Sequence, residues 1–213
     1  MSPRNPWTLV PAADYEGHMG PEGADQLAPL SAVFARACRD LRPARLLVPG
    51  VGTGNGLEHV DPAVTERVVG LDVNLQYLAV ARQRHGRLGH RLELFCAEVE
   101  HADLEPASFD LAFAALLFEH VDAAAAAARI AGWLAPGGSL VAVLQLPSPA
   151  GRVSPSRFAG TPAFRAVAAG MRLVPPEELG GHLGRAGLVP RQAYAVEVAH
   201  ETRLFAGRWL RPK

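Results

Sequence analysis

The sequence predicts an α/β fold in which a doubly wound, mostly parallel sheet carries helices on both faces. Short apolar runs alternate with helical stretches, one of these runs ends in a glycine turn and the next in an acid, and two β-rich runs close the chain. Strands and helices that alternate at this spacing form right-handed βαβ units, which place successive strands parallel in one sheet. With 213 residues, the chain has the size of one domain, 1–213, with a sizeable core.

Strands are predicted where a short apolar or β-branched run is bounded by turn residues. The two closing runs, 188–198 and 202–210, are joined only by residues 199–201. Because so short a connection suits an antiparallel pair, these runs are expected to add a hairpin to the parallel sheet. The five preceding strands are predicted at Arg45–Pro49, Arg67–Asp72, 91–96, Phe109–Ala115 and 139–146.

Helices are predicted between the strands from apolar spacing and capping residues. Residues 1–23 are rich in Pro and Gly and are interpreted as an N-terminal arm. Residues 147–176 are punctuated by Pro, Ser, Gly and Arg and are interpreted as an insertion that carries one short helix. The predicted helices lie at 24–41, from Leu57, from Asn74, at 122–134, at 162–169 and at 176–186.

The first strand ends in a turn in which glycines alternate over residues 50–56. Such a turn is expected to bring bare backbone N–H groups against a ligand. A phosphate-binding P-loop needs a lysine there, but the only lysine is Lys213. The dinucleotide pattern G-x-G-x-x-G fails from every start because its third glycine is missing. What remains is G-x-G-x-G, the nucleoside-binding turn of enzymes that use S-adenosylmethionine (SAM).

The second strand ends in Asp72, at the offset of about 20 residues from the first glycine at which a carboxylate can accept both ribose hydroxyls. The alternative for Asp72 is an acid that caps the following helix. Ligands of doubly wound sheets sit beyond the carboxyl ends of the strands, so the segments after strands three and four, 97–99 and 114–120, belong to the same predicted site.

Together these segments resemble the class I SAM-dependent methyltransferases, in their small-molecule, methyltransferase type 11-like branch. The resemblance covers about residues 45–146 and rests on VPGVGTG, VVGLDVNLQYLAVAR, CAE, SFDLAFAALLFEHV and WLAPGGSLVAV, in that order. It implies a seven-stranded sheet of order 3-2-1-4-5-7-6 with strand seven antiparallel. It also implies SAM as cofactor, S-adenosylhomocysteine as product, and methylation of a small-molecule acceptor.

The resemblance assigns roles to particular residues. Asp72 would hold the ribose, and Glu98 would meet the adenine amino group. His120 or Glu119 is the candidate catalytic base, the alternative for His120 being a helix-entry residue that bonds the backbone. Aromatic faces of Trp7, Tyr15 or Phe118 could attract the sulfonium. The full set expected to bind the cofactor is Tyr15, Met19, Gly50, Val51, Gly52, Gly54, Asp72, Val73, Ala97, Glu98, Val99, Ala114 and Leu116.

Two segments are expected to act as lids, namely 1–41 and 147–176, with the acceptor bound between them. Tyr15, His18 and Met19 lie in the first, for which an ordinary packed arm is the alternative. The resembled family has an acid two residues before the first glycine, where this chain has Val48. A non-catalytic SAM-binding regulatory or partner subunit is therefore an alternative function. A nicotinamide-dependent dehydrogenase is a further, less favoured alternative.

Composition and charge argue against several other classes of protein. Formal charge sums to zero without a basic block, which argues against nucleic acid as a partner. No apolar run reaches membrane-spanning length, no signal-peptide pattern begins the chain, and Cys38 and Cys96 are isolated, so a cytoplasmic protein with reduced thiols is expected. The histidines show no metal-ligand spacing, and the lack of an internal lysine excludes Schiff-base chemistry. The sequence is silent on oligomeric state.

Overall fold

Seven strands form one mixed sheet in the computed structural model, which describes residues 5–147, 156–198 and 202–213. The strand order is β3-β2-β1-β4-β5-β7-β6, and β7 runs antiparallel to both of its neighbours. The predicted order and the antiparallel seventh strand are confirmed. The strands are β1 (Arg45–Pro49), β2 (Arg67–Asp72), β3 (Leu92–Cys96), β4 (Phe109–Ala115), β5 (Leu134–Gln145), β6 (Val189–Glu197) and β7 (Arg203–Leu210).

Helices cover both faces of this sheet, as predicted. Asn74 and Asp122 cap the helices that follow them, each accepting a hydrogen bond from a backbone N–H. No helix in the described part of the chain is long and apolar enough to cross a membrane. The α-helices are α1 (Ala12–Met19), α2 (Leu27–Leu41), α3 (Leu75–Arg84), α4 (Ala123–Trp133), α5 (Pro162–Gly170) and α6 (Pro176–Arg185).

Alternation along the strands divides the interior into two apolar layers. In β1, Leu47 packs in the layer of α4 and α6, whereas Leu46 and Val48 pack in the layer of α2 and α3. Successive strand residues point to opposite faces, so buried strands need apolar side chains at every position. This is why β1 and β2 appear in the sequence as continuous apolar runs.

A third apolar cluster lies above the carboxyl edge of the sheet. It joins the N-terminal segment to α3 and α5 through Val10, Tyr77, Phe164 and Val167. The Trp7 and Phe164 rings are 6.3 Å apart between centroids, and His18 and Phe164 are 4.8 Å apart. The two segments predicted as lids therefore contact each other, although residues 148–155 of the second lie outside the described residues.

Helical structure in the arm was not predicted. A 3-10 helix spans Pro6–Leu9, and α1 follows it. The sequence of α1 has little apolar periodicity, because contacts with other elements stabilise this helix. Tyr15 stacks on Tyr77 of α3 with centroids 4.8 Å apart, and Glu16 pairs with Arg84 at 2.7 Å.

Three predicted boundaries were wrong, and the first is the start of the helix predicted at 24–41, which begins only at Leu27. The helix expected from Leu57 is only a 3-10 turn, Leu57–His59, since Pro62 disfavours helical backbone in the residue before it. Strand five begins at Leu134 rather than at residue 139, because Leu134 already pairs with Phe109 before a bulge shifts the register. The closing hairpin is confirmed in β6 and β7, while residues 199–201 lie outside the described residues.

Candidate active site

A cavity of about 910 Å³ lies at the carboxyl ends of the parallel strands, under the N-terminal segment and α5. In doubly wound folds this edge, where the strand order reverses, is the usual place for a ligand. The structure brings most of the predicted site residues to it. They are Tyr15, Met19, Gly50, Val51, Gly52, Asp72, Val73, Ala97, Glu98, Val99, Leu116, Glu119 and His120.

The glycine turn after β1 is needed for shape and close packing. Gly52 has φ +54°, and a Cβ there would lie 2.9 Å from the Tyr15 hydroxyl. The sequence predicted that the backbone N–H groups of this turn would be bare. In the structure they are hydrogen-bonded within the protein. Those of Gly50 and Val51 donate to the Leu71 carbonyl, and that of Gly52 donates to Asp72. The turn thus folds back onto the end of β2 and presents its other backbone atoms to the cavity.

Asp72 is the last residue of β2 and faces the cavity. Its Oδ2 accepts the Gly52 N–H at 2.9 Å, and its Oδ1 accepts the Asn74 N–H at 2.9 Å. Burial raises the pKa of this carboxyl, although the same hydrogen bonds oppose the shift. A carboxylate has about four acceptor positions, so both oxygens can still accept from a diol.

The segment after β3 forms one end of the cavity. Ala97 donates its N–H to the Asp72 carbonyl at 3.0 Å, which joins this segment to the end of β2. Val99 is buried, whereas Glu98 is exposed at the rim. The Glu98 carboxylate accepts from Asn5 Nδ2 at 3.2 Å and lies 3.1 Å from His101 Nδ1.

The segment after β4 places the two candidate bases. Glu119 is only 2 % exposed; its Oε1 accepts the Gln145 N–H at 2.8 Å, while its Oε2 has no partner among the described residues. Burial raises the pKa of Glu119 to about 7 and lowers that of His120 to about 4. The His120 imidazole is therefore neutral at pH 7, and it makes a T-shaped contact with the Trp7 ring at 5.0 Å between centroids.

Side chains of the N-terminal segment complete the roof. Tyr15 lies over Gly52, and burial together with the nearby Asp72 carboxylate raises the pKa of its phenol. His18 is largely buried, which lowers its pKa, and its Nδ1 has no partner among the described residues. The arm is thus built into the cavity wall rather than packed elsewhere.

Three predicted residues do not line the cavity. Ala114 points into the opposite layer, because alternation along β4 gives the cavity face to Phe113 and Ala115. Phe118 is buried in that same layer. Gly54 packs on α3, where a Cβ would lie 2.7 Å from the His85 ring.

Several lining residues were missed. Tyr77 is a helix residue whose apolar spacing indicates only core, and Gln26 and Gln145 stand outside any motif in the sequence. The α5 side chains Phe164 and Val167 reach the cavity only through the packing of the insertion. The one available signal in the sequence was Gln145, a glutamine at the end of a buried apolar strand. Buried polar side chains need a partner, so such a residue indicates a polar site.

Comparison with known proteins agrees with this geometry. Residues 47–142 match the family model described as a methyltransferase domain. The matched stretch is less than half of the chain and holds the glycine turn after β1, Asp72 and the segments after β3 and β4. Among curated protein sequences, no match was found.

Solved structures share the fold at low sequence identity. The N-methyltransferase NodS from Bradyrhizobium japonicum WM9, in complex with S-adenosylhomocysteine, has a TM-score of 0.68 and 16% identity over 100% of this chain and 94% of its own. Phosphoethanolamine N-methyltransferase 2 of Haemonchus contortus has a TM-score of 0.70 and 17% identity over 95% and 57%. The [4+2]-cyclase SpnF has a TM-score of 0.67 and 20% identity over 86% and 80%.

Proposed function

We propose that this protein transfers the methyl group of SAM to a small-molecule acceptor by in-line displacement. The observation that carries the proposal is the Asp72 carboxylate, which faces the cavity and can accept further hydrogen bonds. A cavity of about 910 Å³ is of the size expected for a small-molecule site. A cytoplasmic location stays a prediction from the sequence.

The ligand would lie along the row of strand ends. Glu98 and Ala97 would flank the adenine, Asp72 the ribose, and the turn at Gly50 and Gly52 the methionine part. Displacement at a sulfonium carbon needs no acid at the leaving group, so catalysis is mainly alignment of nucleophile and methyl. A base is needed only if the acceptor carries a proton, and Glu119 and His120 are the candidates.

The two lid segments, 1–41 and 147–176, would enclose the acceptor between them. Contacts of Trp7 and His18 with Phe164 support this arrangement, since they join the described parts of the two segments over the cavity. Exclusion of water strengthens the electrostatic interactions of the reacting groups.

A non-catalytic SAM-binding subunit is the second candidate, and Val48 favours it. Val48 is apolar, lines the cavity and stands where the resembled family has an acid near the methionine ammonium. In this candidate SAM binds, no acceptor is methylated, and a stable heteromeric partner is found.

The test is calorimetric titration with SAM, S-adenosylhomocysteine and NADH in parallel. We expect micromolar binding of the two sulfur ligands and none of NADH, because the dinucleotide glycine pattern is absent. Asp72→Ala should weaken SAM binding tenfold or more, since a hydrogen bond to a charged group contributes about 1.5–3 kcal/mol.

Asp110→Ala is the matched control. Asp110 binds Arg45 at the amino ends of β4 and β1, which is the edge of the sheet opposite the cavity. Loss of the Asp110 carboxylate should therefore leave SAM affinity unchanged even if the stability of the protein falls. Unchanged affinity in Asp72→Ala would contradict the assigned ribose site, and failure of both sulfur ligands to bind would contradict the proposed function itself.

A further inference from the structure

The order of the strand ends fixes where the acceptor lies, if the proposed function holds. Along the edge of the sheet the strands follow as β3, β2, β1, β4 and β5. Asp72 closes β2 and Gly50 follows β1, so the nucleoside occupies this side. Gln145 closes β5, beyond β4 and away from Asp72. A cofactor with its ribose at Asp72 and its adenine at Glu98, as proposed above, therefore presents its methyl group toward the end of β5.

Three buried polar side chains line the cavity at the end of β5. The Glu119 carboxylate accepts from the Gln145 N–H at 2.8 Å, and the Gln145 side-chain oxygen accepts from Gln26 Nε2 at 3.2 Å. All three residues are at most 4 % exposed. Glu119 Oε2 is left without a partner among the described residues. A buried carboxylate oxygen without a donor is costly, so a ligand donor that reached this atom would relieve the cost.

Among the described residues, the cavity lining is rich in carboxylates. Of the described residues that line it, none is an arginine or a lysine. His120 is half-buried and neutral at pH 7, and its neighbour Trp7 is an aromatic ring with two π faces. Such faces attract cations when water is excluded. Carboxylates line the cavity at Asp72, Glu98, Glu100, Glu119 and Asp122.

Apolar side chains surround the polar cluster on the acceptor side. Leu30 and Phe113 line the same cavity, as do Val167 and Met171 of the insertion. We propose that the acceptor is an amine on an apolar body, and that Glu119 Oε2 binds its nitrogen and accepts its proton.

The reaction balances with these groups alone. The Glu119 carboxylate takes one proton from the ammonium form of the acceptor, which frees the nitrogen lone pair. That lone pair forms the new N–C bond to the methyl carbon while the C–S bond breaks and its electron pair stays on sulfur. The products are the N-methylated ammonium ion and S-adenosylhomocysteine, and Glu119 then releases its proton to water. The raised pKa of Glu119, about 7, suits an acid–base group that works near neutral pH.

The experiment compares matched acceptors with the full-length protein. Primary amines, alcohols and carboxylates with the same alkyl or phenylalkyl bodies, from hexyl to hexadecyl, are incubated with the protein and SAM, and methylated products are detected by mass spectrometry. Binding of the same compounds to protein saturated with S-adenosylhomocysteine is measured by calorimetry. We expect amines to bind and to gain one methyl group, with little binding of the carboxylates.

Glu119→Gln tests the named residue. The amide keeps an acceptor oxygen for the Gln145 N–H but carries no charge and takes no proton. We expect turnover of the amine to fall about 100-fold, the lower end of general-base effects, while SAM affinity stays within about twofold. Glu105→Gln, an exposed acid outside the cavity, is the control and should keep wild-type turnover.

Methylation of alcohols or carboxylates in place of amines would overturn the inference. So would unchanged amine turnover in Glu119→Gln, or amine binding no tighter than that of the matched alcohol in protein that binds S-adenosylhomocysteine. None of these results would contradict the proposed function, which fails only if the sulfur ligands do not bind or if no acceptor of any of the three classes is methylated.

Discussion

Two adjacent side chains, Glu119 and His120, have pKa values shifted in opposite directions by the same cause. Burial disfavours the charged form of each, so the carboxyl keeps its proton to higher pH and the imidazole loses its proton at lower pH. The Glu119 backbone carbonyl accepts the Arg172 N–H, and its side chain meets Gln145, so no cation compensates the carboxylate through these contacts. Ionisation of Glu119 should therefore lower the free energy of unfolding of the protein.

We predict that Glu119→Gln gains stability over wild type as pH rises. The folded-state pKa of Glu119, about 7, lies above its ordinary 4.5, so the folded state binds more protons between these values. The free energy of unfolding contributed by Glu119 is therefore full below about pH 4.5 and is lost as pH rises through 7. At 1.36 kcal/mol per pH unit the loss is about 3 kcal/mol, and glutamine avoids it.

Urea unfolding of both proteins at pH 5, 6 and 8 measures this difference. His120 contributes in the opposite sense, because its folded pKa of about 4 lies below the ordinary 6.5, so stability rises with pH between these values. Both proteins contain His120, so its contribution cancels when one is subtracted from the other. A stability difference that does not change with pH would show that Glu119 does not pay an ionisation cost in the folded state.

At the scale of single elements, the turn after β1 determines how closely α2 approaches the sheet. Gly56 has φ +96°, and a Cβ there would lie 2.7 Å from Cγ of Phe34, a buried residue of α2. The glycine thus satisfies two requirements at once, since the left-handed backbone and the close ring both exclude a side chain. It lies away from the cavity, so its effect is on stability rather than on ligand binding.

Gly56→Ala should lower the free energy of unfolding by about 2–5 kcal/mol. Left-handed backbone costs an alanine about 1–2 kcal/mol, and overpacking against Phe34 adds about 1–3 kcal/mol. Chemical denaturation gives the value, and Gly86→Ala is the control, because a Cβ there meets nothing within 4 Å. Equal stability of the two variants would rule out the close packing of Gly56 on Phe34.

At the scale of the whole molecule, the sheet and the N-terminal segment have separate roles. Of residues 5–23, Met19 is buried in the apolar layers of the sheet and Tyr15 packs against one of them, whereas Trp7, Tyr15 and His18 line the cavity. Most of the stability should therefore reside in the sheet and its helices. Closure of the site should depend on the segment.

Deletion of residues 1–23 should leave a cooperatively unfolding protein with SAM affinity reduced at least tenfold. The loss follows because aromatic faces near a desolvated cation contribute up to about 2 kcal/mol, and Trp7 and Tyr15 are removed. Far-UV circular dichroism during urea unfolding and calorimetric titration test the two parts. Retained affinity, or a broad non-cooperative transition, would contradict this division.

The sheet could be predicted from local pattern because buried parallel strands require continuous apolar runs. The segments 45–49, 67–72 and 109–115 have such runs, and turn residues bound them closely enough for their limits to be predicted. α1 could not be predicted in this way. Its stability comes from Tyr77 and Arg84, more than 60 residues along the chain, and no local period records such contacts.

The sequence by itself determined the strand order, through resemblance, and the position of Asp72 at a strand end, through its spacing from the glycine turn. Only the tertiary structure decided which neighbours share the cavity. It turned Ala114 away and brought Gln26 to Gln145 across 119 residues, and it left one oxygen of Glu119 without a donor among the described residues. Strand pattern is local and survives in the sequence, whereas burial and hydrogen-bond partners depend on which distant segments pack together.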